Sequence, residues 1–506
     1  MAANWWRQAW RAMSARQALV LLLVAAVGVL CGLLPGPAGA QWRPPRPRPV
    51  AVPVNLTALD DALLLTLDDG VLGQELWRVD ATTLQASLVR DIRPGPLGGH
   101  PAQAVRYGRQ ACFAANDGDT GFELWCSDGS PAGTQRVADI RPGPQDSVPS
   151  ALTVLGQHLL FVADDGQHGF ELWRTDGQAS GTRLLADILR GAGGSNPHAL
   201  TRVGQRVYFV ADDGQHGAEL WITDGSSAGT RLVKDIRPGP AGASPQHLTA
   251  VGDQLYFVAH DGVHGPELWT SDGSAAGTRL VRDIRPGAVG SRPAYLVGWQ
   301  GNLYFAADDG HTGVELWRSN GTASGTQLVK DIHPGAGHGL PSFLTVAAGA
   351  LHFSATDGQG VVTLWRSDGT AAGTHAVAGP SLPVNSEASL TQRQSVPGGA
   401  VPNRLAADRQ RLLYAAMDAD AGYELWASNG QAAGTHRLAD LAPGPAHSFP
   451  NQFTRVGERL FFIADDGQGL TALWCELPSG RIVQVPLPGA AAGLAGSASD
   501  GAPVAP

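Results

Sequence analysis

The chain has 506 residues, a formal net charge of −9 and only 16% charged residues, with 66 glycines and 35 prolines. That length is ample for a large buried core, and so much Gly and Pro demands many turns between short segments. There is no basic patch and no interleaving of aromatic with basic residues, which argues against nucleic acid as a partner.

From the N-terminus, Arg7, Arg11 and Arg16 precede an apolar run, Ala18–Leu34, and then the small-residue site Ala38-Gly39-Ala40. The pattern predicts an export signal over residues 1–40, cleaved to leave Gln41 first. The alternative is an uncleaved anchor, since 17 apolar residues are short for a bilayer. Residues 41–54 form a Pro/Arg-rich linker, and no further membrane span is expected. The mature protein is thus expected outside the cytoplasm: extracellular, at the cell surface or periplasmic.

Beyond the linker, leucine precedes each of nine tryptophans: Trp77, Trp125, Trp173, Trp221, Trp269, Trp317, Trp365, Trp426 and Trp474. The spacing is 48 residues except between Trp365 and Trp426, where it is 61. Such a period means a modular array. In the module around Trp269, four short segments stand between turn signals: His247–Val251, Gln254–His260, Pro266–Ser271 and Arg279–Ile284. All are rich in aliphatic, β-branched or aromatic residues and too short for helices. Four strands per repeat of this length predict an all-β fold, a β-propeller of nine blades over residues 55–488. An eight-bladed ring with an extra module and an open β solenoid are the alternatives. The tryptophans are expected to wedge blade against blade, each burying ~150–250 Å².

Cys112 and Cys126 flank a turn symmetrically, so a hairpin centred near Asp119 sets them opposite one another; in an exported protein this predicts a disulfide. Cys475 is left as a buried thiol. About 13 extra polar residues enter near 380–397, read as a projecting loop between modules seven and eight. Residues 489–506 are rich in Ala, Gly, Ser and Pro and are expected to be disordered.

The segments ELWRTDGQ (Glu171–Gln178), ELWITDGS (Glu219–Ser226), ELWTSDGS (Glu267–Ser274) and ELWRSNGT (Glu315–Thr322) repeat one motif. On these residues the chain resembles the bacterial ELWxxDGT repeat family, over nearly all of its mature length. The resemblance implies an exported repeat protein and brings no assigned activity.

An aspartate stands eight residues before every one of the tryptophans, often behind a second carboxylate, as in Asp164-Asp165, Asp212-Asp213 and Asp308-Asp309. Acidic, glycine-containing loops make these six residues candidate Ca²⁺ ligands, although Ca²⁺ wants six to eight oxygens and one loop offers few. The competing reading is an Asx-turn that shapes the hairpin. His168, His216 and His264 lie in the same loops, too far apart around a ring to converge. The spacing Ala163, Asp165, Gly169, Trp173 also matches the tryptophan-docking pattern of quinoprotein propellers, as shared inter-blade docking. The Asp-Ile-Arg-Pro-Gly corners, such as Asp235–Gly239, put an arginine where it can tie a crossover to a neighbouring blade, with the glutamate two residues before each Trp as its expected partner.

Catalysis needs unlike groups converging on one point, and here the polar residues are copies of the same few. No motif of a hydrolase nucleophile, zinc site or phosphate loop is present. The expectation is a non-enzymatic propeller that binds a protein, glycan or cell-surface component. The alternative is a propeller enzyme, a hydrolase, lyase or oxidoreductase, with an axial site of non-repeated residues such as His260, His352 and Trp299.

Overall fold

The computed structural model describes residues 53–359, 361–377, 382–383, 405–418 and 420–488. The expected export signal, the linker before Pro53, most of the 380–397 insertion and the tail lie outside them. Each module folds into its own antiparallel sheet with strands in sequential order, and the nine sheets form the nine blades of a β-propeller. Blades 1 to 9 begin at Val54, Ala102, Ser150, His198, Gln246, Ala294, Ser342, Ala406 and Asn451. Among the described residues the only helical pieces are two three-residue 3₁₀ turns, Ala179–Gly181 and Ala432–Gly434. None is long and apolar enough to cross a membrane.

Blade 5 runs Gln246–Val251, Gln254–His260, Pro266–Ser271 and Arg279–Arg282, within two residues of the boundaries expected from turn chemistry. Its Trp269 pairs with Phe257 on one side and Leu280 on the other. The second strands, such as Leu255-Tyr256-Phe257-Val258-Ala259, are buried on both faces, because each sheet is covered on both sides by neighbouring blades. Blade 7 departs from the pattern: its fourth strand shrinks to His375–Ala376, and Leu382–Pro383 of the insertion pairs with Val361 and Val362 as a fifth.

The first strands of adjacent blades pack side by side, blade 9 against blade 1 included, and so line the axis. Leu63, Leu65 and Trp77 of blade 1 share one core with Phe461, Ile463 and Leu473 of blade 9. Arg459 of blade 9 donates to the carbonyls of Ala81 and Thr82 in blade 1. The ring is therefore closed by packing, blades 1 and 9 each keeping their own four strands; the solenoid and the eight-bladed ring with a stray module are excluded.

Two faces result. The loop between second and third strands and the corner to the next blade share one, the corner face. Gly73 of such a loop has φ +73°, and a Cβ there would stand 2.8 Å from the Pro96 carbonyl of the corner, so only glycine fits. The two hairpin turns of each blade share the other, the turn face.

Candidate functional site

The tryptophans act as wedges, but unequally. Six are 4–8% exposed, while Trp221, Trp426 and Trp474 are only partly buried. Each lies in a third strand against the preceding blade: Trp269 packs with Leu220, Ile222 and Val233 of blade 4. A basic residue ending the preceding fourth strand covers several of the rings, Arg90 lying 5.6 Å from the Trp125 centroid and Lys234 6.0 Å from that of Trp269. These cations also donate to the carbonyls of Thr134 and Thr278, which stitches blade to blade. Cys112 and Cys126 are direct cross-strand partners and form the expected disulfide, Cα atoms 4.0 Å apart. Cys475 is buried and free.

The loop aspartates spend their oxygens locally. Asp165 Oδ1 accepts the N–H groups of Gln167 and His168, and its Oδ2 meets His168 Nδ1 at 2.8 Å. Asp213 repeats this with Gln215 and His216, and Asp309 binds His311 and Thr312. Burial works to raise Asp165, but these donors outweigh it and hold its pKa below the usual range; the His168 pKa rises, chiefly through its bond to Asp165. The carboxylates in front look elsewhere: Asp164 pairs with Arg141 at 2.7 Å and Asp308 with Arg285, each arginine coming from the preceding corner. Asp212 accepts Gly214 N–H and meets no arginine, because Leu189 stands at that corner position. Among the described residues no three His, Cys, Asp or Glu side chains gather as a metal-binding group.

The repeated glutamate has a partner other than the expected arginine. Glu75, fully buried, accepts the backbone N–H groups of Ile92, Arg93 and Gly99, so one carboxylate latches the corner at three points. In four blades a serine hydroxyl joins the latch, as Ser147 donates to Glu123 at 2.7 Å. Thr363 and Ala472 replace the glutamate in modules seven and nine, the two followed by no ordinary corner. Desolvation pushes the pKa of Glu123, Glu219, Glu315 and Glu424 up to about 7, against the N–H bonds, which pull it down.

Of the singular residues, Trp299 ends the first strand of blade 6, partly buried, 5.4 Å from Tyr304. His352 is not axial. It is fully buried in the second strand of blade 7, and desolvation lowers its pKa to about 4. His260 accepts Gly262 N–H, doing the loop work of the aspartate it replaces. Unlike ionisable groups do meet between the turns of blades 8 and 9. There Asp408 binds Arg411 and Arg455, and Arg411 also binds Glu476, beside a cleft of about 320 Å³. Two carboxylates and two guanidiniums satisfy one another, so none is left as a base or an anion site. No repeated motif covers these four residues, and nothing in their spacing signals that they meet.

Sequence reasoning also missed the axis. In eight blades the first strand carries a residue with φ between 53° and 58° near its corner-face end, none of them glycine. At these points the register shifts, so the inner strand bulges. The backbone repeats but the side chain does not: Asn55, Gln103 and Gln452 are amides, Ala151 and Ala199 are small, and His247, Tyr295 and Phe343 are rings. Tyr295 and Phe343, from adjacent blades, lie 5.4 Å apart with planes at 52°. His247 is open to solvent, yet crowding by protein lowers its pKa. Large apolar side chains are also placed unevenly. The seven most exposed among the described residues are Val71, Leu97, Val148, Val263, Val289, Tyr295 and Leu470, and all stand on the corner face.

No family model matches the chain, and no curated protein matches it. Solved structures similar to it include a puromycin hydrolase (16% identity, TM-score 0.37, covering 82% of this chain and 58% of that one). Others are a prolyl endopeptidase (9%, TM-score 0.39, covering 74% and 54%) and the β-propeller domain of the trilobed protease of Pyrococcus furiosus (10%, TM-score 0.32, covering 65% and 95%). The chain thus spans less than two thirds of the length of the first two.

Proposed function

We propose that the protein is an exported, non-enzymatic binding propeller that works through its corner face, in keeping with the exported ELWxxDGT repeat proteins it resembles. The observation that carries this is that all seven exposed large apolar residues lie on that face. Contiguous apolar surface left in water marks a place where something else covers it, and the loop of Val263 meets the corner of Val289 at Gly265. The Cys112–Cys126 disulfide supports an oxidising compartment, where the partner is a protein, a glycan or another envelope component. The axial bulges add side-chain variety to a uniform frame, which suits recognition. The ionisable cluster at blades 8 and 9 is internally neutralised, which leaves the enzyme alternative without a base or nucleophile there.

The test is binding of purified protein to the host's envelope fraction. Val263→Asp combined with Val289→Asp alters two side chains that are 66% and 48% exposed, so the fold is preserved. This variant should bind at least tenfold more weakly, whereas Gln205→Asp on the turn face should bind as the parent does. Equal binding by all three proteins would refute the reading.

A further inference from the structure

On the corner face of blades 1 and 2 an apolar patch is framed by carboxylates. Val71 and Leu97 are 69% and 63% exposed. The loop of one and the corner of the other touch at Gly73, where a Cβ would stand 2.8 Å from the Leu97 carbonyl carbon. Carboxylates lie directly beside Val71: its N–H donates to Asp69 Oδ1 at 2.9 Å, and the Gly70 N–H donates to Asp68 Oδ1 at 2.8 Å. On its other side the same corner meets the loop of blade 2, where a Cβ at Gly118 would stand 3.1 Å from Arg93 Nε. Asp117 and Asp119 flank that glycine. The patch thus sets one arginine against four carboxylates.

The imbalance extends over the face. From the last residue of each second strand to the first of the third, blades 1–7 and 9 hold 14 aspartates and no lysine or arginine. The seven described corners hold eight aspartates and six arginines. On the turn face, by contrast, Asp61 meets Arg78 and Asp60 meets Arg106. Two corner faces set together, or an acidic polymer laid on one, would therefore repel, since like charges across an interface oppose docking. A small polyamine would answer the charge and leave Val71 and Leu97 in water. A polypeptide segment with apolar residues among lysines or arginines answers both: its apolar side chains cover the patch and its cations meet the frame.

We infer that the corner face docks a basic, amphipathic segment of a partner protein, seated on Val71 and Leu97 with its cations against Asp68, Asp69, Asp117 and Asp119. This deepens the binding reading above and rests on it. The experiment titrates the full protein with a fluorescent random copolymer of lysine and phenylalanine, with poly-lysine and poly-glutamate alongside. The copolymer should bind more tightly than poly-lysine, and poly-glutamate should not bind. Asp69→Asn combined with Asp119→Asn should weaken copolymer binding about fivefold, with far-ultraviolet spectra and melting unchanged. Asp61→Asn combined with Asp128→Asn removes the same charge from the turn face of the same two blades and should bind as the parent does. Val71→Ser combined with Leu97→Ser should weaken the copolymer about fivefold and leave poly-lysine unchanged. No binding of the copolymer, binding of poly-glutamate, equal losses in the two asparagine variants, or no loss in the serine variant overturns the inference. Should envelope binding still depend on Val263 and Val289 in that event, the corner-face reading stands and the basic partner is wrong. Should it not, both fall.

Discussion

Trp125 is 4% exposed, lies against blade 1 and sits under the guanidinium of Arg90. Replacing it with alanine removes that packing and leaves a cavity, at a cost of about 3–5 kcal/mol in urea unfolding. Its indole N–H meets no acceptor, as is true of six other repeat tryptophans. Trp125→Phe therefore gives up no hydrogen bond and should cost no more than about 2 kcal/mol. Equal losses for both variants would show that the N–H matters. Glu219 provides the converse case. Its Oε2 is buried without a hydrogen bond, because Ala243 stands where Ser147, Ser195, Ser291 and Ser448 donate in other blades. Ala243→Ser should restore the bond and add about 1–2 kcal/mol of stability, read as a higher urea midpoint. An unchanged or lower midpoint would show that the hydroxyl cannot reach.

The corner latch and the acidic loop respond to solution conditions in different ways. A latch glutamate with a pKa raised from 4.5 to about 7 holds its proton in the folded state where the unfolded chain has lost it. Stability is then greatest below about pH 4.5 and falls as pH rises to about 7, where it levels off. The loop aspartates, held low, lose their contribution only as pH drops below the ordinary carboxylate range. His352, held near 4, acts in the opposite direction to the latches, as do His158 and His247, whose pKa values burial also lowers; seven raised glutamates stand against these three. The melting temperature should therefore fall between pH 5 and 8, and Glu219→Gln should make that fall shallower. A rise over the same interval would mean that the N–H groups hold the latches ionised. As for calcium, the oxygens of Asp165, Asp213 and Asp309 already serve their own loops, so EDTA should leave the melting temperature unchanged; a drop reversed by Ca²⁺ would restore the metal reading.

The ring as a whole was legible because its period is strict: tryptophan spacing gave the blade count, and turn chemistry placed the strands of blade 5 to within two residues. The hairpin geometry around Asp119 gave the disulfide, since register follows from a symmetric turn. What stayed hidden depends on relations across blades. The glutamate latch bonds to backbone 17 to 24 residues away, and nothing in residue type distinguishes that from an ion pair with the adjacent arginine. The left-handed bulges fall on Asn, Ala, His, Tyr and Phe alike, so no glycine marks them. Closure by packing has no signature at all, as blades 1 and 9 look like any other pair. The function proposed above follows the same division: what is copied around the ring builds it, and what varies at the axis is proposed to select the partner.

Hydrogen–deuterium exchange on the protein with and without saturating envelope material tests that division most directly. Protection confined to the corner-face loops and to the starts of the first strands, strongest around Val71 and Leu97, is the predicted result. Protection centred on the hairpin turns of the opposite face, or spread evenly over all the blades, would contradict it.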